Sequence, residues 1–99
     1  MRISFSEFKD KLIPVCDDYD IILLGLFGSF AKGEAKDDSD VDLIVRFSKP
    51  KSLLELVRIE NGLSQILKRK VDLLTEASIS PYLKDRIQEE MKIVYEKAG

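Results

Sequence analysis

Residues 28–45 read Gly-Ser-Phe-Ala-Lys-Gly-Glu-Ala-Lys-Asp-Asp-Ser-Asp-Val-Asp-Leu-Ile-Val, and the fold turns on how this stretch is read. Asp40 and Asp42 are spaced by one residue. In a strand, residues i and i+2 share a side, so the two carboxylates project together while Val41, Leu43 and Val45 enter the core. Carboxylates this close repel, and one normally takes up a proton. A divalent cation removes that penalty, and Mg²⁺ prefers few carboxylates together with phosphate oxygens. The other end of the stretch, Gly28-Ser29, stands where a buried strand meets a short helical turn. N–H groups at such a start attract phosphate, and glycine lets a ligand approach the backbone closely. Ser29 adds a hydroxyl and Lys32 a positive charge. Taken alone, each end has a plainer reading, a serine-capped helix start and a solvated acidic turn. Together they point to a nucleoside triphosphate with its metal.

The pattern spreads outward from there. Residues 20–27, Asp-Ile-Ile-Leu-Leu-Gly-Leu-Phe, form an apolar run of strand length, as expected of a central strand buried on both faces. Residues 40–47 form a second strand, with a polar loop over 34–39 and one helical turn over 29–33 between the two. Upstream, Phe5, Phe8, Leu12 and Val15/Cys16 recur at helical spacing over residues 4–18, although Pro14 burdens the last turn. Downstream, Pro50 breaks the chain and Ser52-Leu53-Leu54-Glu55 is a capping-box pattern. It opens a helix to about Lys68, with Leu53, Leu56, Val57, Leu63, Ile66 and Leu67 on its apolar side. Gly62 in its middle implies a bend or a close contact. Residues 70–75 read as a third strand. Ser80-Pro81 starts a last helix carrying Leu83, Ile87 and Met91. Residues 92–96 either extend that helix or form a short edge strand, and the alternation of Ile93, Val94, Tyr95 and Glu96 favours the strand. The expectation is an α/β fold, one small domain over residues 1–99 with helices packed against the sheet.

Composition narrows the function. With 44% hydrophobic and 34% charged residues, the chain is expected to be globular rather than disordered. A net charge of −2 lacks the basic excess of a dedicated nucleic-acid binder, so none is expected as a direct partner. No apolar run is long enough to span a membrane, and the N-terminus shows no signal-peptide core, so a cytoplasmic protein is expected. The single cysteine, Cys16, lies in an apolar run and reads as a core residue. There is no histidine, so acid–base work falls to carboxylates, Lys, Tyr or metal-bound water.

Asp72 repeats the theme inside Val71-Asp72-Leu73-Leu74. A charge within an apolar strand is costly unless paired. If the third strand lies beside the second, Asp72 completes a three-carboxylate site; on an edge it could instead face water. Three rival motifs fail. Gly28 to Gly33 has the spacing of a Walker A loop, but Glu34-Ala35 replaces its Lys-Ser/Thr. The dinucleotide fingerprint is absent. Asp38-x-Asp40-x-Asp42 opens like a calcium-binding EF-hand loop, but Leu43 stands where glycine is required and Lys49 where the bidentate Glu belongs.

Gly28-Ser29, ten residues, then Asp40-x-Asp42 resembles the signature of the nucleotidyltransferase superfamily that includes DNA polymerase β. The short chain, with Gly-Ser-x-Ala-Lys-Gly-Glu followed by Ser-Asp-x-Asp-Leu, is similar to the minimal nucleotidyltransferase (MNT) antitoxins that pair with HEPN toxins. The signature covers Gly28 to Leu43, and the Val71-Asp72-Leu73 strand extends the likeness over most of the chain. The resemblance implies a mixed sheet and two Mg²⁺ ions on Asp40, Asp42 and Asp72. It implies ATP bound through Gly28, Ser29, Lys32 and Ser39. The implied chemistry is transfer of AMP to a tyrosine of a cognate HEPN-type toxin, with release of pyrophosphate. Asp42 would bridge the ions and Asp72 would take the acceptor's proton. Lys32 departs from the arginine of many relatives, keeping the charge but losing bidentate phosphate geometry. A small domain with no second lobe must share its acceptor site with the partner. The alternative is an antitoxin that neutralises its toxin by contact alone, using exposed residues of the 52–68 helix or the C-terminal strand.

Overall fold

The computed structural model describes residues 5–28, 31 and 40–97. The expected helical turn at 29–33 and loop at 34–39 lie outside them, Ala31 excepted. In chain order the elements are α1 (Phe5–Cys16), β1 (Ile21–Phe27), β2 (Val41–Phe47), α2 (Leu53–Leu67), β3 (Val71–Thr75), a single 3₁₀ turn (Glu76–Ser78), α3 (Pro81–Glu90) and β4 (Lys92–Glu96). The strands form one mixed sheet in the order β3-β2-β1-β4. β1 is antiparallel to both β2 and β4, while β2 and β3 run parallel. A parallel pair needs a long crossover, and α2 supplies it.

Local chemistry sets each boundary. In α1 the buried residues are Phe8, Leu12 and Cys16, one line at i, i+4, i+8. Pro14 lies on the exposed side, and the helix runs past it to Cys16. Asp20, at φ 58°, turns the chain into β1; short polar side chains tolerate this left-handed region best after glycine. The capping box of α2 is complete, Glu55 N–H donating to Ser52 Oγ and Ser52 N–H to Glu55 Oε1, both at 3.2 Å. Gly62 fits where a Cβ would collide with the Tyr19 hydroxyl, which is the close contact its position implied. Ser80 caps α3 by accepting from Tyr82 N–H at 3.3 Å, and Pro81 occupies the first turn. Met91 is extended, which ends α3 and starts β4, so residues 92–96 are strand and not helix.

The main core lies on one face of the sheet, under α1 and α2. Ile21, Leu24, Leu26, Val41, Leu43, Val45, Val71 and Val94 meet Phe8, Leu12, Cys16, Ile59, Leu63 and Leu67 there. Each such side chain removed from water contributes about 1.5–3 kcal/mol, so this face carries most of the stability. Two expectations for α2 need correction. Leu53 and Val57 are 80% and 47% exposed, and Ile59 takes their place in the core. At 3.6 residues per turn Val57 lies about 120° round the helix from Leu63, outside the buried stripe. α3 covers the opposite face more lightly, and of its expected apolar line only Ile87 is buried.

Candidate functional site

The face away from the main core carries the carboxylates. In the antiparallel pair, Phe27 stands opposite Asp42, Gly25 opposite Ile44 and Leu23 opposite Arg46. In the parallel pair, Val41, Asp42 and Leu43 align with Val71, Asp72 and Leu73. The same tripeptide, Val-Asp-Leu, therefore occurs in register on neighbouring strands. Alternation sends both valines and both leucines toward the helices and both aspartates to the other side. The position of β3 beside β2, on which the role of Asp72 depended, is thus met.

Asp42 is half-buried, and its carboxyl titrates above the ordinary carboxylate value. Burial is the largest cause, followed by the negative charges of Asp72 and Asp40 and a hydrogen bond with Asp72. Asp42 and Asp72 therefore stand side by side on this face. Gly28 closes the arrangement at the end of β1. It has φ +78°, and a Cβ there would run into Asp42 Oδ2. Its bare backbone leaves that oxygen uncovered.

The remaining sequence candidates divide. Asp40 is exposed and stands immediately before β2. Its charge still reaches Asp42. Among the described residues, no three His, Cys, Asp or Glu side chains are gathered closely enough to hold a metal ion. The pair Asp42–Asp72 is what the described fold brings together. Ser29, Lys32 and Ser39 lie outside the described residues. Cys16 is fully buried, and burial, with the Asp17 charge, pushes its thiol up to about 11, so it is a core residue without thiolate reactivity.

The carboxylate pair fits a divalent cation. Asp42, whose proton is held more tightly beside the charges of Asp72 and Asp40, lies next to a second carboxylate, and a cation can take the place of that proton. Gly25 is a feature that the sequence reading passed over. A Cβ there would overlap the Met91 side chain, so the glycine lets the end of α3 settle on the sheet next to the Phe27–Asp42 pair. A lone glycine inside an apolar strand was the available signal for such a close approach. Further along this face, a cavity of about 70 Å³ lies under α3, lined by Leu23, Ile44, Arg46, Ile87 and Met91 among others. Ligand pockets usually measure about 300–1,000 Å³, so a nucleotide does not fit there.

Comparison with known proteins agrees with this geometry. Residues 9–94 match the model of the nucleotidyltransferase domain family. A protein of Methanocaldococcus jannaschii, provisionally named a protein adenylyltransferase, is 43% identical over 88 residues, covering 89% of this chain and 95% of that protein. A solved structure described as a minimal nucleotidyltransferase superimposes with a TM-score of 0.78 at 28% identity, covering 92% of this chain and 96% of the other. A Shewanella oneidensis complex of a tri-AMPylated HEPN toxin with its MNT antitoxin shares the fold, with a TM-score of 0.73 at 21% identity over 90% or more of this chain (94%) and 73% of the other. A family match that runs from within α1 to within β4 identifies this chain as a member of the nucleotidyltransferase domain family, within its minimal nucleotidyltransferases.

Proposed function

We propose that this protein transfers AMP from ATP to a tyrosine of a HEPN-type toxin, with Mg²⁺ as cofactor, and so serves as the antitoxin of a toxin–antitoxin pair. The observation that carries the reading is the register of Asp42 with Asp72 next to the bare backbone of Gly28. The AMPylated toxin in the S. oneidensis complex and the name of the M. jannaschii relative support the choice of reaction and acceptor.

The chain's own residues divide the work as follows. Asp42 and Asp72 would hold Mg²⁺, with Asp40 adding charge. When bound, the cation would neutralise the triphosphate and stabilise charge on the attacking and leaving oxygens. Gly28 would admit the phosphates to the end of β1, with Ser29, Lys32 and Ser39 as further nucleotide contacts. The tyrosine Oη would form a bond to the α-phosphorus. The bond from that phosphorus to the β-phosphate bridging oxygen would break, and pyrophosphate would leave. Asp72 would accept the phenol proton, since the chain has no histidine.

Contact-only neutralisation has one feature in its favour, the exposed trio Leu53, Leu54 and Val57 at the start of α2. The two readings part in one experiment. The protein is mixed with Mg²⁺, ATP labelled at the α-phosphate and the HEPN-type protein encoded beside it, with Asp42→Asn as control. Label on a toxin tyrosine with the wild type only is the expected result. A stable complex that acquires no label would overturn the transferase reading in favour of neutralisation by contact.

A further inference from the structure

We infer that Glu60 is a positioning residue that holds Asp72 in place beside Asp42; the inference rests on the metal-binding part of the function proposed above. β3 is an edge strand of five residues, paired with β2 on one side. On that inner side, Val41 N–H donates to Lys70 O at 2.9 Å. Backbone groups of a strand alternate in direction, so the donors of Val71 and Leu73, flanking Asp72, face outward. Side chains of α2 accept from both. Val71 N–H donates to Ser64 Oγ at 3.0 Å, and Leu73 N–H donates to Glu60 Oε2 at 2.9 Å. The Ser64 hydroxyl in turn donates to the Glu60 carbonyl oxygen at 2.9 Å.

The spacing is a match of two repeats. Residues four apart on a helix are separated by about 6 Å along its axis, and residues two apart on a parallel strand by about 6.6 Å. Glu60 and Ser64 therefore meet Val71 and Leu73 without strain in either element. The backbone is fastened on both sides of Asp72, and the outer edge of β3 is closed to a further strand there. A short edge strand otherwise opens at low cost, while a metal-binding carboxylate must be held within about 0.5 Å of its working position. Of the two fastenings the one from Glu60 reaches furthest along β3, holding the strand on the C-terminal side of Asp72. Glu60 contacts the backbone of Leu73 and takes no part in chemistry.

The test uses the purified full chain and Mn²⁺ as a probe, read by water-proton relaxation, together with amide hydrogen exchange at Leu73. Exchange at Leu24, in the central strand, reports whether the fold is intact. Glu60→Ala should bind Mn²⁺ about tenfold more weakly, the usual cost of losing a group that orients a metal ligand. The Leu73 amide should exchange faster while Leu24 is unchanged. Glu60→Gln keeps an acceptor oxygen and should restore both readouts. Glu60→Asp keeps the charge but not the reach, and should behave like Glu60→Ala; it also serves should the alanine variant fail to fold. Mn²⁺ binding by Glu60→Ala or Glu60→Asp as tight as that of the wild type would overturn the inference, as would a wild-type chain that binds no Mn²⁺. The readouts need neither nucleotide nor acceptor, so a chain that binds Mn²⁺ but transfers no label would fail as a transferase and leave this inference standing, while wild-type Mn²⁺ binding by the Glu60 variants would overturn this inference and leave transfer standing.

Discussion

Val41-Asp42-Leu43 and Val71-Asp72-Leu73 are the same three residues in the same register, yet the sheet treats them differently. β2 is central, with a hydrogen-bonded strand on each side; β3 is an edge, with β2 on one side and side chains of α2 on the other. Leu43 is fully buried, whereas Leu73 is half-buried against the same core. The same short motif is held by neighbouring strands at the centre of the sheet and by helix side chains at its edge. The valine and leucine of each copy fix which way the strand faces, and alternation then commits each aspartate to the opposite side.

The comparison can be broken first at its carboxylates. Asp42→Asn should lower transfer of label by about a thousandfold, the upper range for removing one electrostatic contact at a reacting centre, with the fold intact by circular dichroism. Unchanged transfer would remove Asp42 from the mechanism. The leucines sharpen the framework side. Leu43→Ala should cost about 2–5 kcal/mol in urea unfolding, as for other fully buried leucines, and Leu73→Ala less than half as much. Equal costs would mean that central and edge copies are equally embedded.

Gly28→Ala tests the contact between β1 and Asp42. A left-handed backbone costs a residue with a Cβ about 1–2 kcal/mol, and here the Cβ also meets Asp42 Oδ2. A loss of stability in that range, with weaker metal binding, is expected; wild-type values for both would dissociate Gly28 from the site. The smallest effect is pH-dependent. Asp42 titrates above its ordinary value of 3.8 in the folded chain. The folded state therefore holds its proton more tightly than the unfolded state does. The stability that this confers is fully present below the ordinary value and is lost as pH rises through the raised one. In metal-free buffer, Asp42→Asn should melt above the wild type at neutral pH, and the gap should close on acidification. A gap independent of pH would contradict the mutual repulsion of Asp42 and Asp72.

Most of the fold was legible because its signals are local. The apolar run of β1, the capping box of α2 and Ser80-Pro81 each act within a few residues, and the observed boundaries fall within two residues of those expected. The spacing of Asp40 and Asp42, and the lone charge of Asp72 in an apolar strand, singled these residues out before any strand order was known. What escaped depends on distance in the chain. The exposure of Leu53 and Val57 is decided by which stripe of α2 meets the sheet. The fit of Met91 over Gly25 joins residues more than sixty positions apart. The bond from Leu73 N–H to Glu60 depends on how α2 lies along β3, which no spacing in the sequence states.

The central claim is that the paired tripeptides build one cation and nucleotide site. Crystals grown with Mn²⁺ and a non-hydrolysable ATP analogue, measured at the manganese absorption edge, test it most directly. An anomalous peak in contact with both Asp42 and Asp72 is expected, with the triphosphate at the end of β1 beside Gly28. A bound analogue whose phosphates lie elsewhere, or manganese absent from the carboxylate pair, would contradict it.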